Sequence, residues 1–484
     1  MIVSKRLITE SNLAEFCTDG VLYVAKGQIV TPGARDKALH KGIQIIHGVA
    51  PKAAEPQPTG EPVVECDVAA EHAAVTTAID DCAIARRLAQ DSHMTFPKDM
   101  VLAQKSVMMP SINLLGPGCL EQAAKRVGAM GHRKGLIVTD AMLNKVGMVQ
   151  QVVLVLEKYG IATEVYDGVQ PNPSTANVNE GLLKLRKKNC DFVISLGGGS
   201  PHDCAKAIAL LSSNGGTIAD YEGVDKSTTP ALPLVAINTT AGTASEMTRF
   251  CIITNEETKV KMAIVDPHVT PAISVNDPNL MLAMPASLTA ATGMDALTHA
   301  IEAFVSTNAN PFTDAMASKA IKMMVEFLPR AVEDGSDLEA REQMACAQFM
   351  AGVAFNNAGL GYVHAMAHQL GGMYGLPHGV CNAVLLPHVM AYNMHSRIKR
   401  MSDIARYMGC DVHGKEPQDA AIEGIKLVCR ILTQVNMPTT LTELGVKAED
   451  IPAMAANAMK DACALTNPTR GTQADIERIF QNAM

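Results

Sequence analysis

The chain has 484 residues, too many for one ordinary domain at roughly 150 residues each, and a globular composition that is 48% hydrophobic and 19% charged. A net charge of −8 excludes a general nucleic-acid binder, which needs a basic face. No apolar run approaches the roughly 18 residues of a membrane helix, and twelve scattered Cys without a secretory signal read as reduced thiols of a cytoplasmic protein. Trp is absent and 28 Met are present, so aliphatic and Met side chains must fill the core.

In chain order, Thr9 to Phe16 reads as a short helix and residues 22–25 as a strand. Thr31 and Pro32 then start a helix, Thr as N-cap and Pro in the first turn. Gly42 ends it, and residues 43–46 are strand-like. Residues 50–62 are rich in Pro, Ala and Glu and read as a linker. Residues 68–91 follow as an amphipathic helix with Ala, Val and Ile on one face. The front of the chain thus divides into a small module over 1–49 and a linker with its helix over 50–103.

From Met108 the pattern changes to short apolar strands alternating with longer helices. Strands fall at 136–139, 162–166, 192–196 and 234–237, and helices near 141–158, over 175–187 and from Ser200. This alternation builds a parallel sheet covered on both faces. Residues 250–254 and 262–265 form a hairpin after it, and from Pro285 helical patterns run to the C-terminus. The expected architecture is α/β plus all-α, divided over 104–284 and 285–484, with a small appended N-terminal α+β segment.

The first chemical motif is Gly197-Gly198-Gly199-Ser200-Pro201, directly after the third strand. Glycines admit close approach of the backbone to a pyrophosphate. Ser200 as N-cap and Pro201 at the first helical position then start a helix whose amides attract anions. A tight strand-to-helix turn without a ligand would look the same, so neighbouring signals matter. Asp140 ends the first strand, where a carboxylate can accept bonds from ribose hydroxyls and repel a 2′-phosphate, favouring NAD over NADP. It could equally cap a helix. Residues 239–246 form a hydroxyl-rich loop after the fourth strand, and Asn172-Pro173 follows the second, both at the sheet edge where open α/β folds bind ligands. GxGxxG is absent, so this is not the standard dinucleotide fingerprint. Asp203, inside the first helical turn, reads as structural.

The second motif lies in the helical half. Asp295 and His299 stand four residues apart on one helix face, as do His364 and His368, and His378 and His388 follow. A lone His is more often a hydrogen-bonded core residue. Four within 364–388 of a chain holding only 14 is a cluster, and its apolar surroundings make unpaired polar groups costly. One carboxylate with imidazoles suits Fe or Zn better than Mg or Ca, and the residues alone leave the metal open.

With these motifs the chain from about Met108 to Met484 resembles the iron-containing, or group III, alcohol dehydrogenases. The resemblance rests on Gly197–Ser200, Thr239–Thr243, residues 293–300 and residues 363–379. It implies a Rossmann-like parallel-sheet nucleotide domain packed on a helical metal-binding domain, and a homo-oligomer, dimeric or larger. Asp295, His299, His364 and His378 would be metal ligands, and His368 would lie near the nicotinamide and relay a proton. Asp140, Asn172, Gly198, Gly199, Ser200, Thr239, Thr240, Thr243, Lys261 and Leu280 would contact NAD. The usual metal is Fe(II), with Zn(II) in relatives of similar architecture.

The implied activity interconverts a small primary alcohol and its aldehyde with NAD(H). Residues 7–36 are similar to a leader of bacterial microcompartment proteins of the ethanolamine-utilisation type, which would bind a shell or partner enzyme; an inert extension is the alternative. Rival readings are a polyol dehydrogenase, a lyase that uses NAD transiently, and an adaptor acting through residues 1–92. The lyase should carry basic residues around its metal, whereas the segments around Asp295 and His364 are apolar.

Overall fold

The computed structural model describes residues 106–258 and 260–484, and before them only parts of the stretch 7–47. The expected helix over 9–16, the linker over 50–62 and the helix over 68–91 lie outside the described residues. The chain divides into two units, Met1–His72 and Ala73–Met484.

In the front unit β1 (Leu7–Ile8) pairs in parallel with β4 (Ile29–Val30). A second sheet holds β2 (Cys17–Thr18), β3 (Val21–Val24) and β5 (Gln44–His47), with β2 and β3 antiparallel and β3 and β5 parallel. The expected strands at 22–25 and 43–46 correspond to β3 and β5. Ala34 and Ala38, helical in the segment between β4 and β5, are buried with Val24 and Val30.

In the main body six strands run parallel: β6 (Ile112–Leu115), β7 (Lys134–Val138), β8 (Ala162–Tyr166), β9 (Phe192–Gly197), β11 (Leu234–Asn238) and β14 (Ile273–Asn276). Their order is β6-β14-β11-β9-β7-β8. Successive side chains leave the sheet on opposite faces. Leu136 and Val138 enter one core with Val178 and Ile208, while Ile137 enters another with Val127 and Val152. Two buried faces explain why β9 is buried at every position and reads as a continuous apolar run. A smaller sheet joins β10 (Gly223–Val224) to the hairpin of β12 (Phe250–Asn255) and β13 (Val260–Val265).

β6 and β14 were not expected. β6 is a short edge strand between Pro110 and Gly116. β14 carries Ser274 and Asn276, polar yet fully buried, so its pattern imitates a half-exposed segment. Their partners lie elsewhere in the chain: Ser274 donates to Asn113 at 2.7 Å, and Asn276 accepts from Asn238 at 2.8 Å.

Two helix boundaries also differ from expectation. The helix near 141–158 is two helices, α2 (Ala141–Lys145) and α3 (Met148–Glu157), because Gly147 turns left-handed at φ 83° between them. They follow α1 (Cys119–Ala129) and precede α4 (Thr175–Lys187). The helix after β9 is α5 (Gly199–Asn214), capped by extended Gly198, so Ser200 lies inside the first turn rather than at the cap.

From α6 (Ala286–Val305) onward the chain is helical: α7 (Pro311–Glu333), α8 (Leu338–Ala358), α9 (Tyr362–Tyr374), α10 (His378–Met394), and further helices to Gln473–Ala483. Met294, Met324, Met366 and Met394 are fully buried in this half, filling the core as the composition requires. A buried polar seam ties the two halves. Gln348 of α8 donates to Glu246 at 2.7 Å and to Asn276 at 3.0 Å, and Asn276 donates to Glu246 at 3.1 Å. Burial raises the Glu246 carboxyl despite these bonds, which favours the neutral acid there.

Close backbone contacts set α10 against α6. A Cβ on Gly379 would stand 2.2 Å from the backbone oxygen of Ala291. Gly379→Ala must push the two helices apart and is expected to cost about 1–3 kcal/mol of stability, the usual cost of overpacking. Urea unfolding of the variant checks this; a midpoint equal to wild type would show that the contact yields freely.

Candidate metal and cofactor site

The helix periodicity of the paired motifs holds in space. Asp295 and His299 project from α6, His364 and His368 from α9, and His378 opens α10. Asp295 is the centre: its Oδ1 lies 3.7 Å from His299 Nε2, 3.6 Å from His364 Nε2 and 3.6 Å from His378 Nε2. Asp295, His299 and His364 are almost wholly buried, while His378 is 40% exposed and forms the open side. Phe355 of α8 stacks on His299 with ring centroids 4.2 Å apart and fixes that ring. His388 lies ten residues beyond His378 on α10, about 15 Å along the helix, and is outside this group.

The electrostatics follow from burial. Desolvation raises the Asp295 carboxyl, but His299, His378 and His364 beside it outweigh this and hold it well below the usual carboxylate range. Burial lowers His299 to about 4. Burial also pulls His364 down, yet the Asp295 and Glu302 carboxylates beside it prevail and raise it to about 9.

Three further residues complete the arrangement. Glu302 of α6 accepts from His364 Nδ1 at 2.6 Å and from the Val363 amide at 2.7 Å. It therefore fixes the His364 ring with Nε2 toward Asp295. Asn382 of α10 points its amide nitrogen at Asp295 Oδ1 (2.7 Å), His378 Nε2 (3.0 Å) and His364 Nε2 (3.2 Å). Asp461 accepts from His368 Nδ1 at 2.8 Å. Sequence reading missed all three. Glu302 and Asn382 did leave a signal, since each extends a motif by one helical step, at seven residues from Asp295 and four from His378. Asp461, 93 positions from His368, left none.

The donor set fits a divalent Fe or Zn ion: Asp295, His364 and His378 offer donor atoms within 4.8 Å of one another, and His299 adjoins them through Asp295 at 3.7 Å. Imidazole and carboxylate donors 3.6–3.7 Å apart are too far to bond one another. That spacing is close to the roughly 3.3–3.6 Å expected between donors around one ion at 2.0–2.2 Å. The Asn382 amide has only two protons for the three acceptors it faces, so the set has acceptor capacity that a cation would satisfy.

The residues expected at the cofactor gather at the C-terminal edge of the sheet. Gly198 and Gly199 pack against the 239–243 loop so closely that a Cβ would stand 3.0 Å from Thr240 and 3.3 Å from Thr243. The Thr239 amide donates to Gly197 at 3.0 Å. The Asn172 amide donates to Ser200 Oγ at 3.3 Å, and Lys261 Nζ donates to Asn172 Oδ1 at 2.8 Å. Asp140 caps α2, accepting from the Leu143 amide at 2.9 Å through one oxygen, which leaves the other for a ligand. Leu280 differs: it is 3% exposed and packs into the core with Leu196, Ile237 and Val275.

Beneath this edge Lys206 is fully buried and donates to Ser245 Oγ and Thr248 Oγ1, both at 3.1 Å, and to the Phe250 carbonyl at 2.6 Å. Asp203 accepts from Ser245 Oγ at 2.7 Å and from the Ile252 amide at 3.1 Å, the structural role expected of it. The loop that carries the Thr side chains is thereby tied to α5.

Comparison with known proteins agrees with this geometry. Residues 110–278 match the family described as iron-containing alcohol dehydrogenase, and residues 289–484 match the C-terminal part of the Fe-containing alcohol dehydrogenase family. The chain is 56% identical over 378 residues to alcohol dehydrogenase 4 of Schizosaccharomyces pombe, spanning 78% of this chain and 88% of that protein. It is 46% identical over 376 residues to the NAD-dependent methanol dehydrogenase of Bacillus methanolicus, spanning 78% and 99%. The crystal structure of a 1,3-propanediol oxidoreductase superposes with a TM-score of 0.78 at 48% identity, covering 79% of this chain and all of that one.

Because Glu302 orients His364 from outside the donor set, Glu302→Gln is expected to weaken metal binding roughly 10–100-fold. Competition against a chelator measures this directly; affinity equal to wild type would sink the assignment.

Proposed function

The chain belongs to the iron-containing alcohol dehydrogenase family, and from that premise we propose that it interconverts a small primary alcohol and its aldehyde, acetaldehyde or propanal with NADH foremost. The observation that carries this is one buried carboxylate facing three imidazoles, with a fourth imidazole, His368, beside them at 5.3 Å from the His378 ring. Asp295, His299, His364 and His378 would hold the ion. Bound there, Fe(II) supplies Lewis acidity and NAD(H) the hydride couple.

The protein residues do the rest. Burial raises Asp461, but its bonds with His368 and Cys463 prevail and keep it a carboxylate, so it must accept from His368 Nδ1–H. The neutral His368 ring then carries its lone pair on Nε2. That nitrogen is suited to take the alcohol proton as hydride leaves, and to return it in the reverse direction. The amides at the start of α5 favour the pyrophosphate, Asp140 the ribose, and the loop with Thr239, Thr240 and Thr243 packs across the turn with Asn172 and Lys261. Leu280, buried below them, would act through packing. The polar groups near the site belong to this scheme, and Phe355, Phe250 and the Met and Ala residues of α6 and α9 leave the remainder apolar, as a small neutral substrate requires. The likeness to a 1,3-propanediol oxidoreductase makes a diol and its hydroxyaldehyde the second reading.

The test follows NADH oxidation with acetaldehyde, propanal and 3-hydroxypropanal, using stripped protein reloaded with Fe(II) or Zn(II). Metal-restored turnover is expected, and His364→Ala should lose more than the roughly 10–100-fold typical of outer-shell changes. Turnover indifferent to metal would overturn the reading, and preference for the hydroxyaldehyde would select the diol.

We further propose that residues 1–103 bind a microcompartment shell or partner enzyme and that the catalytic body is a homo-oligomer. Deleting residues 1–103 should then leave aldehyde turnover intact while abolishing co-sedimentation with shells. Lost turnover with retained sedimentation would refute the tag.

A further inference from the structure

Next to the Asp295 group a second set of donors converges. A ring nitrogen of His368, an Asp461 carboxylate oxygen and Cys463 Sγ all lie within 4.8 Å of one another. A short turn holds two of them in place. Asp461 caps the 3-10 turn Ala462–Thr466, and its Oδ1 accepts from the Cys463 amide at 2.9 Å. The Cys463 thiol also bonds to Asp461. His368 enters from α9, its Nδ1 2.8 Å from Asp461 Oδ2. His368 is 37% exposed and Asp461 16%, so a small ion can reach them from solvent.

The donor types differ from those around Asp295. That set offers three imidazoles and a carboxylate. This one adds sulfur, which favours softer ions than Fe(II). A tetrahedral Zn(II) takes Cys, His and Asp at about 2.0–2.3 Å, with donors roughly 3.3–3.8 Å apart. The His368–Asp461 pair would have to spread by roughly an ångström or less, which an ion inserted between them would do.

We propose that His368, Asp461 and Cys463 form a second, inhibitory site that takes Zn(II). Binding exchanges protons for metal. The ion bonds to Nδ1, whose proton is displaced while Nε2 gains one, so the ring stays neutral in its other tautomer. The ion also bonds to Sγ, and the thiol proton passes to solvent. One Zn(II) is taken up and one proton released. The consequence rests on the proton-carrier reading of His368: its Nε2 now bears hydrogen and cannot accept the alcohol proton, and a neutral N–H is too weak an acid to serve the reverse reaction. Binding itself does not rest on that reading.

The experiment titrates the iron-loaded holoenzyme with Zn(II), and in parallel with Cd(II) as an optical probe of thiolate ligation, beside Cys463→Ser. One equivalent of Cd(II) should raise a thiolate-to-metal absorption band that the variant lacks, with iron retained throughout. Zn(II) should inhibit the holoenzyme, and the variant should need at least about tenfold more, the scale of one lost ligand interaction. Zn X-ray absorption on the unsubstituted holoenzyme should show one sulfur in the ligand shell, which needs no variant. A shell of nitrogen and oxygen alone, or iron released in step with zinc uptake by both proteins, overturns the proposal. Sulfur ligation without inhibition would keep the site and overturn the proton role given to His368.

Discussion

One buried charge organises the catalytic half. Asp295 is 2% exposed, and an isolated carboxylate there would cost several kcal/mol of desolvation. It remains ionised because imidazoles from α6, α9 and α10 face it. That demand propagates outward. Three helices must meet within a side chain's length, so Gly379 of α10 lies against the Ala291 backbone of α6. The rings need fixed orientations, which Glu302 gives to His364 and Phe355 to His299. The same carboxylate that would be a liability in an apolar core suits the group to the cation proposed for it.

The cofactor edge obeys a different constraint, the close approach of backbone to backbone. Gly198 and Gly199 leave room for Thr240 and Thr243, and the loop behind them is anchored rather than free. Lys206 and Asp203 supply the anchor from within α5, exchanging one buried cation and one buried carboxylate for five hydrogen bonds. Removing either group would leave buried polar partners unsatisfied, so this part of the scaffold is held stiffly by what it would cost to open. Loop and helix therefore present the pyrophosphate turn and the hydroxyl-rich loop as one surface, joined through Phe250 and Phe355 to the His299 ring.

How much of this could be read from the sequence depended on range. Asp295 with His299, and His364 with His368, are one helical turn apart, so spacing alone placed each pair on a face. The glycine turn was legible because strand, turn and helix follow one another. The N-cap expected at Ser200 lies two residues earlier, since Gly198 can cap without a side chain. β14 was hidden because its buried Ser274 and Asn276 are satisfied by Asn113, Asn238 and Glu246, all distant in sequence. The split between α2 and α3 depended on the left-handed turn of Gly147, which a period-based reading passes over. Asp461 belongs to the same class as β14: its meaning arises only once the fold brings it to His368.

His368 sits where the two donor sets meet, its ring stacked 5.3 Å from His378 on one side and bonded to Asp461 on the other. As the proposed proton carrier it would depend on being held by a carboxylate and left unligated. Those same features, an accessible imidazole beside a carboxylate and a thiol, describe a metal ligand. An imidazole oriented for proton transfer is thus chemically close to one that binds zinc, and the separation between the roles depends on which nitrogen faces which neighbour. Nδ1 is bonded to Asp461, which leaves Nε2 as the nitrogen that the proposed proton transfer would use.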